Sequence, residues 1–226
     1  MQFLSRAEVR QIDQDAIEQL GIPGLLLMEN AARGVCEQIQ RTGPWQQISI
    51  VCGYGNNGGD GLAIARLLAA EGVQANVFLL RGGHVLSEDA EFNLQFLLRS
   101  GISVREMSEP GEFSFSRPLT KSDLLLDCLL GTGVRGVVRS PIREVIARIN
   151  NSGATILAVD LPSGLDCDSG EPCGVCVRAD QTVTFVARKN GFRNPQAAEW
   201  TGSVAVCHIG IPQNWLQNRA PSPLSD

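Results

Sequence analysis

Apolar positions at the start of the chain recur with helical spacing: Val9, Ile12, Ala16 and Leu20 fall on one side of a helix. Ser5 followed by Glu8 is a capping-box signal just ahead of them, so a helix is predicted from about residue 6. A second is predicted after Ile22-Pro23-Gly24, running to about Thr42. From there the period changes. QISIVC (47–52), QANVFLL (74–80), a short stretch at Ile102–Arg105, DLLLDCL (123–129) and TILAVD (155–160) read as buried strands. QTVTFVA (181–187) and SVAVCHI (203–209) read the same way. Helical patterns separate them: GLAIARLLAAEG (61–72) closed by Gly72, EDAEFNLQFLLRSG led by Ser87, and IREVIARINN opened by Ser140 as N-cap and Pro141 as first helical residue. Apolar strands alternating with helices predict a mostly parallel, doubly wound α/β sheet covered on both faces, with N-terminal helices added.

In such sheets ligands bind outside the carboxyl ends of the strands, so polar residues there are the first candidates for chemistry. The first strand runs into Gly53-Tyr54-Gly55-Asn56-Asn57-Gly58-Gly59-Asp60-Gly61 before a helix. Glycines let backbone N–H groups approach a phosphate, and the helix N-terminus favours the anion; the other role open to this loop is a structural turn, with Asp60 as N-cap. The fourth strand carries Asp127 inside LLLDCLL, where an unpaired carboxylate is costly to bury. A second Gly-rich loop, Gly131-Thr132-Gly133-Val134-Arg135-Gly136, follows it, with Arg135 able to meet a phosphate as a charged fork. The fifth strand ends in Asp160-Leu161-Pro162-Ser163. Three polar loops at three strand ends predict one site. Asn57, Asp127 and Ser163 offer an amide oxygen, a carboxylate and a hydroxyl, hard donors with one negative charge among them, a set suited to a large monovalent cation.

Composition narrows the function classes. The chain has 226 residues, 43% hydrophobic and 19% charged, with a net charge of −5. That balance gives no general attraction to nucleic acid or anionic lipid, and no apolar run is long enough to span a bilayer. The N-terminus does not read as a secretory signal, and seven scattered cysteines suit free thiols in a reducing, cytoplasmic setting. Cys167, Cys173 and Cys176 crowd into DCDSGEPCGVC, but no second C-x-x-C or nearby histidine completes a zinc set, so a packing role is expected. The other histidine-dependent metal geometries are disfavoured because only His84 and His208 exist, in unrelated segments.

GNNGGDGL, DCLLGTGVRG, AVDLPSGLD and TGSVAVCHIGIP, together with the early MENAA, closely resemble the NAD(P)H-hydrate epimerase family over residues 1–212. The resemblance implies a Rossmann-like three-layer sandwich that interconverts the R and S forms of hydrated NADH and NADPH (NADHX and NADPHX), a nucleotide-repair reaction. It implies substrate contacts from Asn56, Asn57, Gly58, Gly59 and Asp60, from Gly131 through Val137, and from Asp160. It implies one potassium ion per subunit on Asn57, Asp127 and Ser163, a homodimer, and work alongside a separate ATP- or ADP-dependent dehydratase. Because the sequence stops soon after Pro212, the stand-alone epimerase is expected, with 213–226 as a flexible tail. The reaction such a family carries out needs a proton donor and acceptor but no redox partner, and Asp160 is the candidate shuttle. Burial would raise its pKa and a nearby cation would lower it; the sequence does not decide which prevails. Lys189 receives no role at this level.

Two other readings compete. An NAD(P)-dependent dehydrogenase expects an acidic residue at the end of the second strand, where Arg81 stands, leaving only a 2′-phosphate version of the fingerprint. A non-catalytic module of the same fold would be expected to have lost the polar strand-end residues, and all are present.

Overall fold

The computed structural model describes residues 3–217. Helix α1 (Arg6–Glu18) opens with the expected capping box: the Ser5 hydroxyl accepts from the Glu8 N–H, and the Glu8 carboxylate accepts from the Ser5 N–H at 2.7 Å. Its buried residues are Val9, Ile12 and Ala16, with Arg6 and Asp15; Leu20 lies beyond the helix and is exposed. Helix α2 (Gly24–Thr42) follows Pro23 and presents Leu27, Met28, Ala31, Val35 and Ile39 inward at helical spacing.

Strand β1 (Phe3–Leu4) pairs in parallel with β8 (Arg188–Lys189), stitching the N-terminus to the far end of the chain. The main sheet contains β2 (Ile48–Cys52), β3 (Ala75–Leu80), β4 (Val104–Met107), β5 (Leu124–Cys128), β6 (Thr155–Val159), β7 (Gln181–Phe185) and β9 (Ser203–Cys207). Their order is β4-β3-β2-β5-β6-β7-β9, and every neighbouring pair is parallel. Helices α3 (Asn56–Ala70), α4 (Glu88–Arg99) and α5 (Ile142–Asn150) are the crossovers, and α6 (Ala198–Thr201) precedes β9.

Strand alternation divides the apolar side chains between two cores, which is why the strands read as continuous hydrophobic runs. Ile50, Leu124, Leu126, Leu157, Val159 and Val183 pack with α2, α3 and α4 on one face. Val51, Leu125, Ile156 and Ala158 pack with Val145, Ile146 and Ile149 of α5 on the other. The three-layer sandwich expected from the pattern is therefore present.

Several boundaries differ from the sequence reading. Helix α3 begins at Asn56 with Gly55 at its N-cap, so Asn56–Asp60 is the first part of the helix and not a loop, and Asp60 is not a cap. Strand β4 lies two residues later than expected. Pro141, not Ser140, occupies the N-cap of α5, with φ −84° and ψ −9°. Gln213–Gln217 forms helix α7 with Leu216 buried against the first core, so the stretch expected as a tail is helical as far as Gln217; the rest of it lies outside the described residues.

The chain lays down β2, β3 and β4 toward one edge, then returns to place β5 on the other side of β2. The carboxyl ends of β2 and β5 thus flank the switch point, where a crevice opens because successive connections leave in opposite directions.

Candidate active site

A cleft of about 960 Å³ lies over these strand ends, large enough for a dinucleotide-sized ligand. Of the residues expected to touch a ligand, Asn56, Asn57, Asp60, Asp160 and the whole Gly131–Val137 loop line it. Gly58 and Gly59 do not, although both were expected to contact substrate. Both are buried, and a Cβ at Gly58 would overlap the Gly53 carbonyl oxygen, while one at Gly59 would sit 2.6 Å from Met28 Cε. These glycines let the first turn of α3 lie against the end of β2 and against α2. The N–H groups of that turn, having no carbonyl a turn earlier, give the cleft a positive end.

The second loop is held from behind. Buried Arg6 donates from Nε to the Thr132 carbonyl at 2.6 Å and from Nη2 to Asp166 at 2.6 Å. Arg135 is exposed on the cleft wall.

Asp127 is fully buried in β5, in register with Val51 and Ala158. One carboxylate oxygen accepts from the Ser163 hydroxyl at 2.6 Å and the Leu129 N–H at 3.3 Å; the other accepts from the Ser163 N–H at 2.8 Å. Burial pushes its pKa up to about 6, against the pull of these donors. The Ser163 hydroxyl accepts from the Leu130 N–H at 2.8 Å, and Asn57 donates to the Leu130 carbonyl at 2.9 Å. Asp127 and Ser163 therefore meet directly, and Asn57 joins them through the Leu130 peptide. Asn57 Oδ1 is buried and has no hydrogen-bond partner among the described residues. A buried carbonyl-type oxygen without a donor, on a side chain linked through the Leu130 peptide to Ser163 and the buried Asp127 carboxylate, is the environment a monovalent cation satisfies. No cluster of three or more His, Cys, Asp or Glu with metal-holding geometry occurs among the described residues.

Asp160 follows β6 with φ 66°. Only one other non-glycine described residue has positive φ, Val186 at 67°, just after the neighbouring strand β7. For a β-branched residue that conformation is strained, and both residues line the cleft. Backbone strain of this kind persists where surrounding structure enforces it, commonly at functional sites. The Asp160 N–H donates to the Val183 carbonyl at 2.7 Å, which fixes the turn.

Lys189, fully buried, places Nζ 2.8 Å from Asp160 Oδ1 and donates to the Phe185 carbonyl at 3.0 Å. Thr184 donates to the same Asp160 oxygen at 3.3 Å. Two more carboxyls line the same cleft and interact electrostatically with Asp160. Asp13, on α1, is pushed up to about 6 by burial and by Asp160, with Lys189 opposing. Asp60 is pushed well above the usual carboxylate range by burial, then by Asp160 and Asp13. The site thus holds one carboxylate fixed by a buried cation, beside two carboxyls that favour their protons. Such a set can donate and accept protons near neutral pH.

Lys189 and Asp13 were not found from the sequence. They come from the short β8 and from α1, and only the β1–β8 stitch and the fold of α1 over the sheet bring them to Asp160. Cys167 and Cys176 are buried with Leu161, Leu165 and Ala197, and burial pushes the Cys167 thiol up to about 12, consistent with packing. No described helix is long and apolar enough to cross a membrane.

Residues 24–191 match the family model described as YjeF-related protein N-terminus. The chain is 39% identical over 209 residues to an NAD(P)H-hydrate epimerase of Rhodopirellula baltica, covering 92% of this chain and 84% of that protein. It is 39% identical over 213 residues to one of Pirellula staleyi, covering 94% of each. It is 38% identical to a bifunctional NAD(P)H-hydrate repair enzyme of Salinibacter ruber, covering 97% of this chain but 43% of that longer protein. The crystal structure of yeast ynu0 superposes with a TM-score of 0.76 at 20% identity, covering 100% of this chain and 96% of that one, which supports the fold.

Proposed function

Because the chain belongs to the YjeF-related N-terminal family, in which the NAD(P)H-hydrate epimerases stand, we propose that this cleft epimerises hydrated NADH and NADPH. The protein is an isomerase of metabolite repair. The observation that carries the placement is Asp160: a strained, strand-end carboxylate fixed by a fully buried lysine in a dinucleotide-sized cleft.

The substrate carries a hydroxyl on the ring carbon next to the ring nitrogen. Protonating that hydroxyl lets the nitrogen lone pair expel it as water; removing a proton from a water arriving at the other face restores the hydroxyl with inverted configuration. No electrons are exchanged, so the protein must move protons and hold the ring. Asp160 is the proton shuttle, with Lys189 fixing its orientation and Asp13 and Asp60 as neighbouring proton holders. The first turn of α3 and the Gly131–Val137 loop bind the phosphates through backbone N–H groups.

Asn57, Asp127 and Ser163 fit a potassium ion, on the strength of the donorless buried Asn57 oxygen and its link through Leu130 and Ser163 to the buried Asp127 carboxylate. When bound, it would balance the Asp127 charge and hold the first turn of α3, the end of β5 and the loop after β6 together before substrate arrives. We also propose a homodimer, supported by exposed Phe92 and Phe96 one turn apart on α4 (54% and 45% exposed), and a separate ATP- or ADP-dependent dehydratase that consumes the repaired epimer. The test is to add the protein to each purified epimer of hydrated NADH and follow both by chromatography. Either epimer should relax to the same mixture far faster than without protein; unchanged relaxation contradicts the reading.

A further inference from the structure

The dinucleotide has a second end, and the cleft has residues for it that the epimerisation does not use. From β6, whose carboxyl end leads into Asp160, to β3 the sheet runs β6-β5-β2-β3, three inter-strand spacings or about 14 Å. A dinucleotide with its reacting ring at Asp160 and its pyrophosphate at the first turn of α3 therefore brings its adenosine to the end of β3. Arg81 follows β3 directly and lines the cleft there. Its Nε donates to the His84 carbonyl at 2.9 Å, holding the guanidinium in place. Nη2 lies 3.9 Å from Glu91 Oε2, too far for a hydrogen bond, so that carboxylate does not occupy a donor at this distance. Beside it, Tyr54 and His84 stack with ring centroids 4.0 Å apart and planes 15° from parallel, and both rings line the cleft. An aromatic face next to a preset arginine fork suits a purine whose ribose carries a phosphate.

We propose that Arg81 with the Tyr54–His84 stack forms a subsite for an adenosine 2′-phosphate, and that the protein favours hydrated NADPH over hydrated NADH. In doubly wound folds the end of the second strand is where the ribose 2′ position is read, an acidic residue accepting a free hydroxyl and an arginine a phosphate. The Glu91 carboxyl, 3.9 Å from the guanidinium, would repel a phosphate in the absence of Arg81, so the preference depends on that one side chain. This inference rests on the epimerase reading for the orientation of the ligand.

The test uses the full chain and two probes, adenosine 2′,5′-bisphosphate and 5′-AMP, in titration calorimetry. Wild type should bind the bisphosphate about tenfold or more tightly than 5′-AMP. Arg81→Ala should bring the ratio close to one, Arg81→Lys should keep part of it as a point charge, and Tyr54→Ala should weaken both probes alike. Turnover supplies a second arm: kcat/KM for hydrated NADPH should exceed that for hydrated NADH, and Arg81→Ala should erase the difference through KM. A ratio near one in wild type, or one unchanged by Arg81→Ala, overturns the inference. Equal turnover of both substrates overturns it while leaving the epimerase reading standing. A 2′-phosphate preference without any turnover supports the subsite and removes the epimerase reading.

Discussion

Asp160 and Lys189 are the residues on which the account is most exposed, because one is strained and the other has no access to water. Asparagine tolerates positive φ as well as aspartate does, so Asp160→Asn should fold. It should nevertheless lower stability, because the fully buried Lys189 loses its partner; breaking a buried pair costs on the order of 3 kcal/mol, reduced here by the partial exposure of Asp160. Thermal melts should show the loss for Asp160→Asn and a partial recovery for Asp160→Asn combined with Lys189→Met; no recovery would mean the ion pair is not what the lysine contributes. Asp13 behaves in the opposite sense. Its folded pKa of about 6 lies above its ordinary value of 3.8, so folding favours its protonated form. The resulting penalty is absent below pH 3.8, grows as pH rises through 6, and amounts to at most about 3 kcal/mol above that. Asp13→Asn should therefore raise the melting temperature at pH 8 and leave it nearly unchanged at pH 4, whatever it does to activity. Asp127 was visible in the sequence because a carboxylate interrupting an apolar strand demands a reason, and Asp160 because it ends one at the sheet's ligand-binding edge. Lys189 and Asp13 were not, since nothing local distinguishes a lysine after a strand or an aspartate on a surface-patterned helix from solvated ones.

Among elements, α3 shows what local pattern misses. Glycine is a poor helix former, so a run containing Gly58, Gly59 and Gly61 reads as a loop, and the start of the helix was placed five residues late. Close packing against the end of β2 overrides that propensity. In an ordinary helix Gly→Ala would stabilise by up to about 1 kcal/mol. Gly58→Ala should instead destabilise by about 1–3 kcal/mol or more, the scale of overpacking, since the new methyl would overlap the Gly53 carbonyl. Urea denaturation distinguishes the signs. The strands and α1, α2 and α4 were legible to within a few residues because continuous apolar runs, a capping box and the Ser87 cap are strong local signals. The short β8 was not, because two residues pairing with the chain's start leave no periodic trace.

At the scale of the whole molecule, the first turn of α3, the end of β5 and the loop after β6 converge, and a cation on Asn57, Asp127 and Ser163 would tie them together. Without a cation the Asp127 carboxyl takes a proton near pH 6, so potassium and the proton compete. Added potassium, in a buffer of bulky organic cations, should raise the melting temperature more at pH 8 than at pH 5, and Asp127→Asn should abolish the effect. A mostly parallel sheet covered on both faces followed from the alternation of helix and strand, whereas the order of the strands, the switch point between β2 and β5, and the meeting of Asp160, Lys189, Asp13 and Asp60 required the folded arrangement. The central claim, that Asp160 in this cleft inverts the hydroxylated carbon of hydrated NAD(P)H, is tested most directly in a single turnover. One purified epimer of hydrated NADPH is mixed with excess wild type or Asp160→Asn below their melting temperatures, and its conversion is timed. The account predicts conversion by wild type and a rate lower by about a hundredfold or more in the variant, with nucleotide affinity changed only a few-fold. Equal rates in the two proteins would contradict it.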